Sequence, residues 1–411
     1  MRDRPQLTVR SASAILLAAT GATLMRPAMA DIDLSSSVTV GSQYDTNARQ
    51  LASIELAPTD DKGKRSRDAA SMYVSANVAA KLGGTGPLQM QAQASYNHSD
   101  SFQQNSLSHD DYSVGVNASW KPSQVYDLAF QASQARAPIG LADIGGFSTV
   151  QQRATNVLWT ARVRPTPRWQ LTVSPGWNET LTPLTKANDF QLLTKTATAS
   201  IEFLGAGQLV PGIGGNVSKS TYAGITNPTS YKQRSAFGML NYKVTALTTF
   251  GLSAGKTWRE TTLRDPSSSP TTAPLAGSDS AFTGSLGINR QLTPKTGVNV
   301  SIYRNFQQYD AGVNTSIGTG FTVGVNWAAT PRFTASLTTA FAQSDIDNVV
   351  FRGTTITRTD LLRSYSLGMN YRASRTVSVA TTVSRYIRRS EVWVDQYNGT
   401  VGSLTVAIRF D

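Results

Sequence analysis

From Ile32 almost to its last residue, this chain alternates apolar and polar side chains with a period of two. Ile32, Leu34, Val38, Val40 and Tyr44 share one face of the first run, and Tyr112, Val114, Val116, Ala118 and Trp120 share one face of another. Phe321, Val323, Val325 and Trp327 repeat the pattern, as do Phe333, Ala335, Leu337 and Phe341, and finally Leu404, Val406, Ile408 and Phe410. Successive side chains of a strand point to opposite faces, so each run is a strand with one apolar side. The other side is small and polar: Thr322, Gly324 and Asn326 in one run, Ser403, Thr405 and Ala407 in another. Runs of roughly 9–11 residues with this pattern have the length of a strand that crosses a bilayer at a tilt.

The punctuation between runs is of two kinds, in alternation. Tight turns occupy Gly83–Pro87, Trp120–Gln124, Val163–Trp169, Leu204–Gln208, Tyr242–Ala246, Leu292–Thr296, Trp327–Phe333 and Tyr371–Arg375. Their Pro, Gly, Ser and Thr fix or permit turn dihedrals. Longer polar segments lie between them, such as Gln50–Ser71, Gln103–Asp110, Pro138–Ser148, Arg264–Ser278 and Asp345–Arg358. Short turns at one end and longer loops at the other are the asymmetry of an outer-membrane barrel. Eight tight turns join nine hairpins, which predicts 18 strands with both chain ends on the tight-turn, periplasmic side. The alternation is weakest in Ala187–Phe203 and in the Gly-rich stretch Gln208–Tyr222, which Pro211 interrupts. Trp120, Trp169, Trp258, Trp327 and Tyr371 end apolar runs, where an aromatic girdle belongs. The predicted fold class is therefore all-β, a transmembrane antiparallel up-and-down β-barrel. A propeller also repeats at this spacing, but needs four strands per repeat and sheets apolar on both faces.

Composition agrees with a barrel. Of 411 residues, 40% are hydrophobic and 16% charged, too few charges for a disordered chain and too few apolar residues for a helical membrane protein. Cysteine is absent, which excludes disulfides, thiolate metal sites and cysteine nucleophiles. Arg2, Arg4 and Arg10 precede the short apolar stretch Ala12–Met25 and the small-x-small sequence Ala28-Met29-Ala30. That order reads as a cleaved signal peptide over 1–30, leaving a barrel domain over 31–411. Removing the leader's four Arg and one Asp lowers the formal charge from +12 to +9. A basic balance can mark a nucleic-acid binder, but an exported chain is expected to meet anionic glycans or lipopolysaccharide phosphates instead, and no nucleic acid.

Candidate sites are sparse. His98 and His109, beside Asp100, Asp110 and Asp111, are the only histidines. A histidine near the outer rim can act as general base in an outer-membrane hydrolase, but no second loop supplies a partner constellation. The same residues read equally as a solvated polar loop, so no enzyme activity is expected. No phosphate-cradling loop of the spacing Gly-x-x-x-x-Gly-Lys-Ser/Thr is present, no cofactor is expected, and no metal site is expected. Lys232, Arg234, Lys256, Arg259, Arg304, Arg363, Arg385, Arg388 and Arg389 gather at the predicted outer strand ends. They suit anion or lipopolysaccharide contacts at the rim, or simply a solvated end to the apolar band. The parity of Arg385, Ile387 and Arg389 continues that of Val379 and Val383, pointing them at lipid headgroups. A second basic set, Lys121, Arg164, Arg168, Lys295, Arg332, Arg372 and Arg375, marks the tight-turn end. It suits anionic inner-leaflet lipid or a periplasmic partner. Lumen positions are mostly Gly, Ser, Thr, Asn, Gln and Ala, with few exceptions such as Glu202 and Arg409. A passage so lined suits sugars or general solutes better than a charge-selective filter.

Three motifs carry a family resemblance: Tyr44-Asp45-Thr46-Asn47 in the first strand, turns with Thr or Ser, Pro and Arg before an aromatic strand start (Thr330-Pro-Arg-Phe333), and the C-terminal strand Ser403–Asp411. Together they resemble the outer-membrane β-barrel porin family of the second type, the exopolysaccharide-associated outer-membrane barrels of Gram-negative bacteria. The resemblance implies an outer-membrane conduit for a secreted polysaccharide, working with a periplasmic or inner-membrane export partner. It also implies that Phe410 belongs to the signal read by the barrel-assembly machinery, although Asp411 follows it. A general or substrate-specific diffusion porin is the alternative, and a loop-histidine hydrolase a third.

Overall fold

The computed structural model describes residues 32–48, 68–82, 86–102, 107–138, 151–183, 189–205, 207–223, 229–263, 277–308, 315–351, 354–391 and 396–410. The expected leader over 1–30, most of the Gln50–Ser71 segment, nearly all of Pro138–Ser148 and Arg264–Ser278, and Asp411 lie outside the described residues.

The strands begin with β1 (Ile32–Asp45), β2 (Ala69–Leu82), β3 (Leu88–Ser101), β4 (His109–Trp120), β5 (Tyr126–Pro138) and β6 (Gln151–Thr166). They continue with β7 (Trp169–Pro183), β8 (Asp189–Phe203), β9 (Leu209–Ala223), β10 (Thr229–Thr245), β11 (Thr248–Leu263) and β12 (Gly277–Thr293). The last are β13 (Thr296–Gln308), β14 (Thr315–Thr330), β15 (Phe333–Phe351), β16 (Thr354–Arg372), β17 (Val377–Ser390) and β18 (Tyr397–Phe410). Each pairs antiparallel with its neighbour in sequence, and β1 also pairs with β18, closing an 18-stranded barrel. Closure leaves no edge, the condition under which strands can sit in hydrocarbon with their backbone groups satisfied. The two stretches of weakest alternation are full strands, β8 and β9, in continuous register with each other.

The strand ends fall where the eight tight turns were read, with residues 83–85 and 206 outside the described residues. Their Ser and Thr side chains serve the backbone directly. The hydroxyls of Ser123, Thr245, Thr293, Thr330 and Ser374 accept from the N–H two residues on, at 3.1–3.3 Å. This side-chain mimic of a turn bond explains why Ser or Thr recurs there. At the Leu204–Gln208 turn, Gly207 takes φ 68°, a left-handed conformation that glycine adopts without steric cost. One expected loop is not a loop: Asp345–Arg358 continues the ladder, β15 reaching Phe351 and β16 starting at Thr354. A register shift between Ile346 and Val349 absorbs the polar residues that read as a turn in sequence.

The molecule is apolar outside and polar inside. Among the described residues, only Ala69, Tyr231, Ala281 and Ile346 are buried apolar side chains, whereas Ile213 and Phe282 are 67% and 77% exposed. The outward row of β1 (Val38, Val40, Tyr44) lies opposite Ile408, Val406 and Gly402 of β18, and the register carries this parity round the barrel. Trp120, Trp169, Trp327, Tyr371 and Phe410 form the aromatic end of the outward face beside the tight turns, while Trp177 and Trp258 sit toward the other end.

Candidate functional site

The inner wall is where the sequence's small polar residues converge. They pair across strands, hydroxyl to hydroxyl: Ser95 with Ser113 at 2.7 Å, Ser253 with Ser285 at 2.9 Å and Ser366 with Ser384 at 2.8 Å at mid-height, and Thr257 with Thr283 at 2.8 Å and Thr194 with Ser220 at 2.9 Å toward the loop end. Asn216 donates to Thr198 Oγ1 at 2.8 Å. A hydroxyl paired with another retains donor or acceptor capacity toward water or a solute. The belt is thus a polar, uncharged wall with hydrogen-bonding groups at many heights.

Large inward side chains are folded against this wall, not projected across it. Tyr73, Phe237, Tyr303 and Tyr386 lie opposite Gly41, Gly214, Gly320 and Gly399 on neighbouring strands. A Cβ at Gly41 would stand 2.6 Å from the Tyr73 ring, one at Gly214 2.8 Å from the Phe237 ring, and one at Gly320 2.7 Å from the Tyr303 hydroxyl. The rings occupy the space that the glycines leave open. Gly214 of β9, one of the glycines that weaken its reading as a strand, is therefore the seat of Phe237.

Charge sits at the two ends. Near the tight turns, Asp127 is 3.4 Å from Arg162 and 3.6 Å from Lys121, and Arg164 donates to Gln170 (3.0 Å), which donates to Glu202 (3.4 Å). Near the loop end, Asp360 Oδ2 receives Arg358 at 2.9 Å and Arg388 at 2.8 Å, with all three side chains 7–11% exposed. The middle of the wall is neutral, and the mouths carry more inward charge than Glu202 and Arg409, among it Asp127, Arg162, Arg358, Asp360 and Arg388.

The first-strand element proves to be a seam. Asp45 Oδ1 accepts the Asn47 N–H and the Tyr386 hydroxyl, both at 2.8 Å. Asn47 Nδ2 donates to the Asn398 carbonyl at 2.8 Å, and Thr46 Oγ1 accepts the Thr400 N–H at 2.8 Å. Tyr44 faces outward and donates to Asp68 at 3.0 Å. Asp45, Thr46 and Asn47 thereby bind the end of β1 to β17 and β18, where first strand meets last.

Parity divides the nine basic residues expected at the rim. Lys232, Arg234, Lys256, Arg304, Arg363, Arg385 and Arg389 share the outward face. Arg259 and Arg388 do not, which corrects their assignment as rim contacts. Arg259 is 3% exposed, stacks 4.0 Å from the Tyr231 ring and donates to the Gln307 carbonyl at 3.1 Å. Arg388 is committed to Asp360. A position one residue away on a strand faces the other side, so proximity in sequence misassigned both. The sequence reading also passed over Lys195 and Lys219, which stand directly opposite each other, with Lys219 opposite Lys232. Only the register between strands reveals that row.

The histidines are similarly separated. His98 faces outward, 2.7 Å from Asp110 and 3.2 Å from Asp100, and Tyr96 donates to Asp110 at 2.7 Å. His109 shares the inward face with Asp111 at 3.3 Å, and its Nδ1 lies 2.7 Å from the Leu107 carbonyl. The two rings do not converge on one site. Phe410 is outward and exposed at the tight-turn end, and the basic turn residue Lys295 donates to the Ala329 carbonyl at 3.0 Å.

No protein-family profile matches the chain, and no curated protein sequence matches it. Solved structures do. The FrpB iron transporter of Neisseria meningitidis is similar at 11% identity in two variants: F3-3 with a TM-score of 0.50 and F5-1 with 0.51. Both alignments cover 88% of this chain, but only 63% and 62% of the FrpB chains, so the chain spans less than two thirds of their length. The siderophore receptor PirA from Pseudomonas aeruginosa aligns at 12% identity over 92% of this chain and 80% of its own, with a TM-score of 0.46. At such identities the likeness is one of fold: a closed antiparallel barrel of the outer-membrane kind.

Proposed function

We propose that this chain is an outer-membrane channel that conducts a neutral, polyhydroxylated polymer, a secreted polysaccharide, out of a Gram-negative cell. The observation that carries the reading is the uncharged mid-height belt of cross-strand hydroxyl pairs, with the inward aromatic rings lying along the wall against glycines. Sugars exchange hydrogen bonds with such a wall at many equivalent positions, so no single site holds the polymer long enough to stop it. An 18-strand barrel is wide enough for an aqueous passage. Direction comes from polymer pushed in at the tight-turn end, where a periplasmic or inner-membrane export partner would meet Lys121, Arg168, Lys295, Arg332 and Arg375. In this reading the wall does no covalent chemistry, and Phe410 addresses the chain to the barrel-assembly machinery.

The test is deletion. Loss of the chain should abolish or sharply reduce extracellular polysaccharide. Unchanged polysaccharide with reduced small-solute uptake would replace the reading with that of a diffusion porin.

A further inference from the structure

We propose that the lipid-facing wall of β8–β11 binds the phosphate groups of a lipopolysaccharide headgroup through Lys195, Lys219, Lys232, Arg234 and Lys256. The proposal rests on the barrel's placement in an outer membrane, and is independent of its cargo. Its core is a row of three exposed lysines on adjacent strands, Lys195 opposite Lys219 and Lys219 opposite Lys232. Directly opposed side chains have Cβ atoms roughly 5 Å apart, and like charges at that spacing repel. A barrel alone gains nothing from such a row. An anion lying across it would turn the repulsion into joint coordination, as several ammonium groups around one phosphate do.

The surroundings fit that anion. Arg234 and Lys256 lie on the same face, with Trp258 opposite Arg234 and Lys256 Nζ 5.7 Å from the Trp258 ring. Trp177 stands opposite Lys195. Tryptophan at the end of an apolar band marks the headgroup depth of a membrane. Among the side chains described, two carboxylates share the face, Glu260 opposite Lys232 and Glu179 opposite Leu193, against five cations. Toward the tight turns the same strands expose Val217 and Ile213, at 55% and 67%, a surface for acyl chains. Cations above and apolar side chains below, on a convex wall, match a phosphorylated lipid.

The experiment uses the purified full-length barrel in detergent, with three probes: bisphosphorylated lipid A, the same lipid A dephosphorylated, and phosphatidylglycerol. Bound lipid is read by native mass spectrometry. The wild-type chain should retain the bisphosphorylated probe in preference to both others. Lys195→Gln/Lys219→Gln/Lys232→Gln should weaken that retention roughly tenfold or more, the effect of losing a few charge-assisted contacts. The control Lys121→Gln/Arg332→Gln should leave it unchanged. Lys195→Gln alone, with heat-modifiable mobility as the check of folding, should give an intermediate loss if the triple variant misfolds. Equal retention of dephosphorylated lipid A or of phosphatidylglycerol, or a folded variant that binds like wild type, overturns the proposal. Failure of the wild-type barrel to insert into any lipid would overturn the membrane placement itself.

Discussion

At the scale of single residues, absence matters as much as presence. Gly41 is the clearest instance, because an added Cβ would meet Tyr73 Cζ at 2.6 Å, its hydroxyl at 2.7 Å and Thr405 Cγ2 at 2.9 Å. The obstructing atoms are side-chain ends, so the barrel can yield by swinging the ring inward. Gly41→Ala is therefore expected to cost less than the roughly 1–3 kcal/mol typical of overpacking, and to lower single-channel conductance in planar bilayers. Adding Tyr73→Ser should restore the conductance; an unaltered conductance in Gly41→Ala would show that the ring does not border the conducting path. None of this is visible in the sequence, where Gly41 is one small residue among many. By contrast Ser123, Thr330 and Ser374 were legible as turn residues, because the bond each makes is local.

At the scale of elements, alternation located the strands but not everything they do. β9 was among the poorest strands by pattern and is complete in the structure, with Phe237 from β10 filling the space beside Gly214. The end of β16 carries a group that sequence could not assemble. Asp360 is 5% exposed and holds Arg358 and Arg388, the latter on β17. Removing the carboxylate leaves two guanidinium groups in a buried site, and breaking such a cluster typically costs about 3–5 kcal/mol. Asp360→Ala should lower stability by that order in urea unfolding, whereas Arg385→Ala on the exposed outer wall should change it by less than about 0.5 kcal/mol. Equal effects would mean that the cluster contributes no more than a surface charge.

At the scale of the whole molecule, the distribution of charge decides what the channel can discriminate. The middle of the inner wall is hydroxyl and amide, and charge lies at the mouths, part of it in ion pairs such as Asp127–Arg162 and Asp360–Arg388. The expected outcome is a pore with little ion selectivity, a cation-to-anion permeability ratio near one from reversal potentials under a salt gradient. A strongly selective pore would place an unpaired charge in the conducting path.

The sequence by itself determined the class, the strand number, the eight tight turns and the outward aromatic rows, because each of these follows from period-two parity and local turn chemistry. Tertiary structure decided that Arg388 meets Asp360 and Arg259 meets Tyr231, that Asp45, Thr46 and Asn47 fasten the seam between first and last strands, and that Lys195, Lys219 and Lys232 form a row. The physical reason is the same in each case. Parity within a strand is local, but a neighbour across strands is set by register, and register is fixed only when the barrel closes.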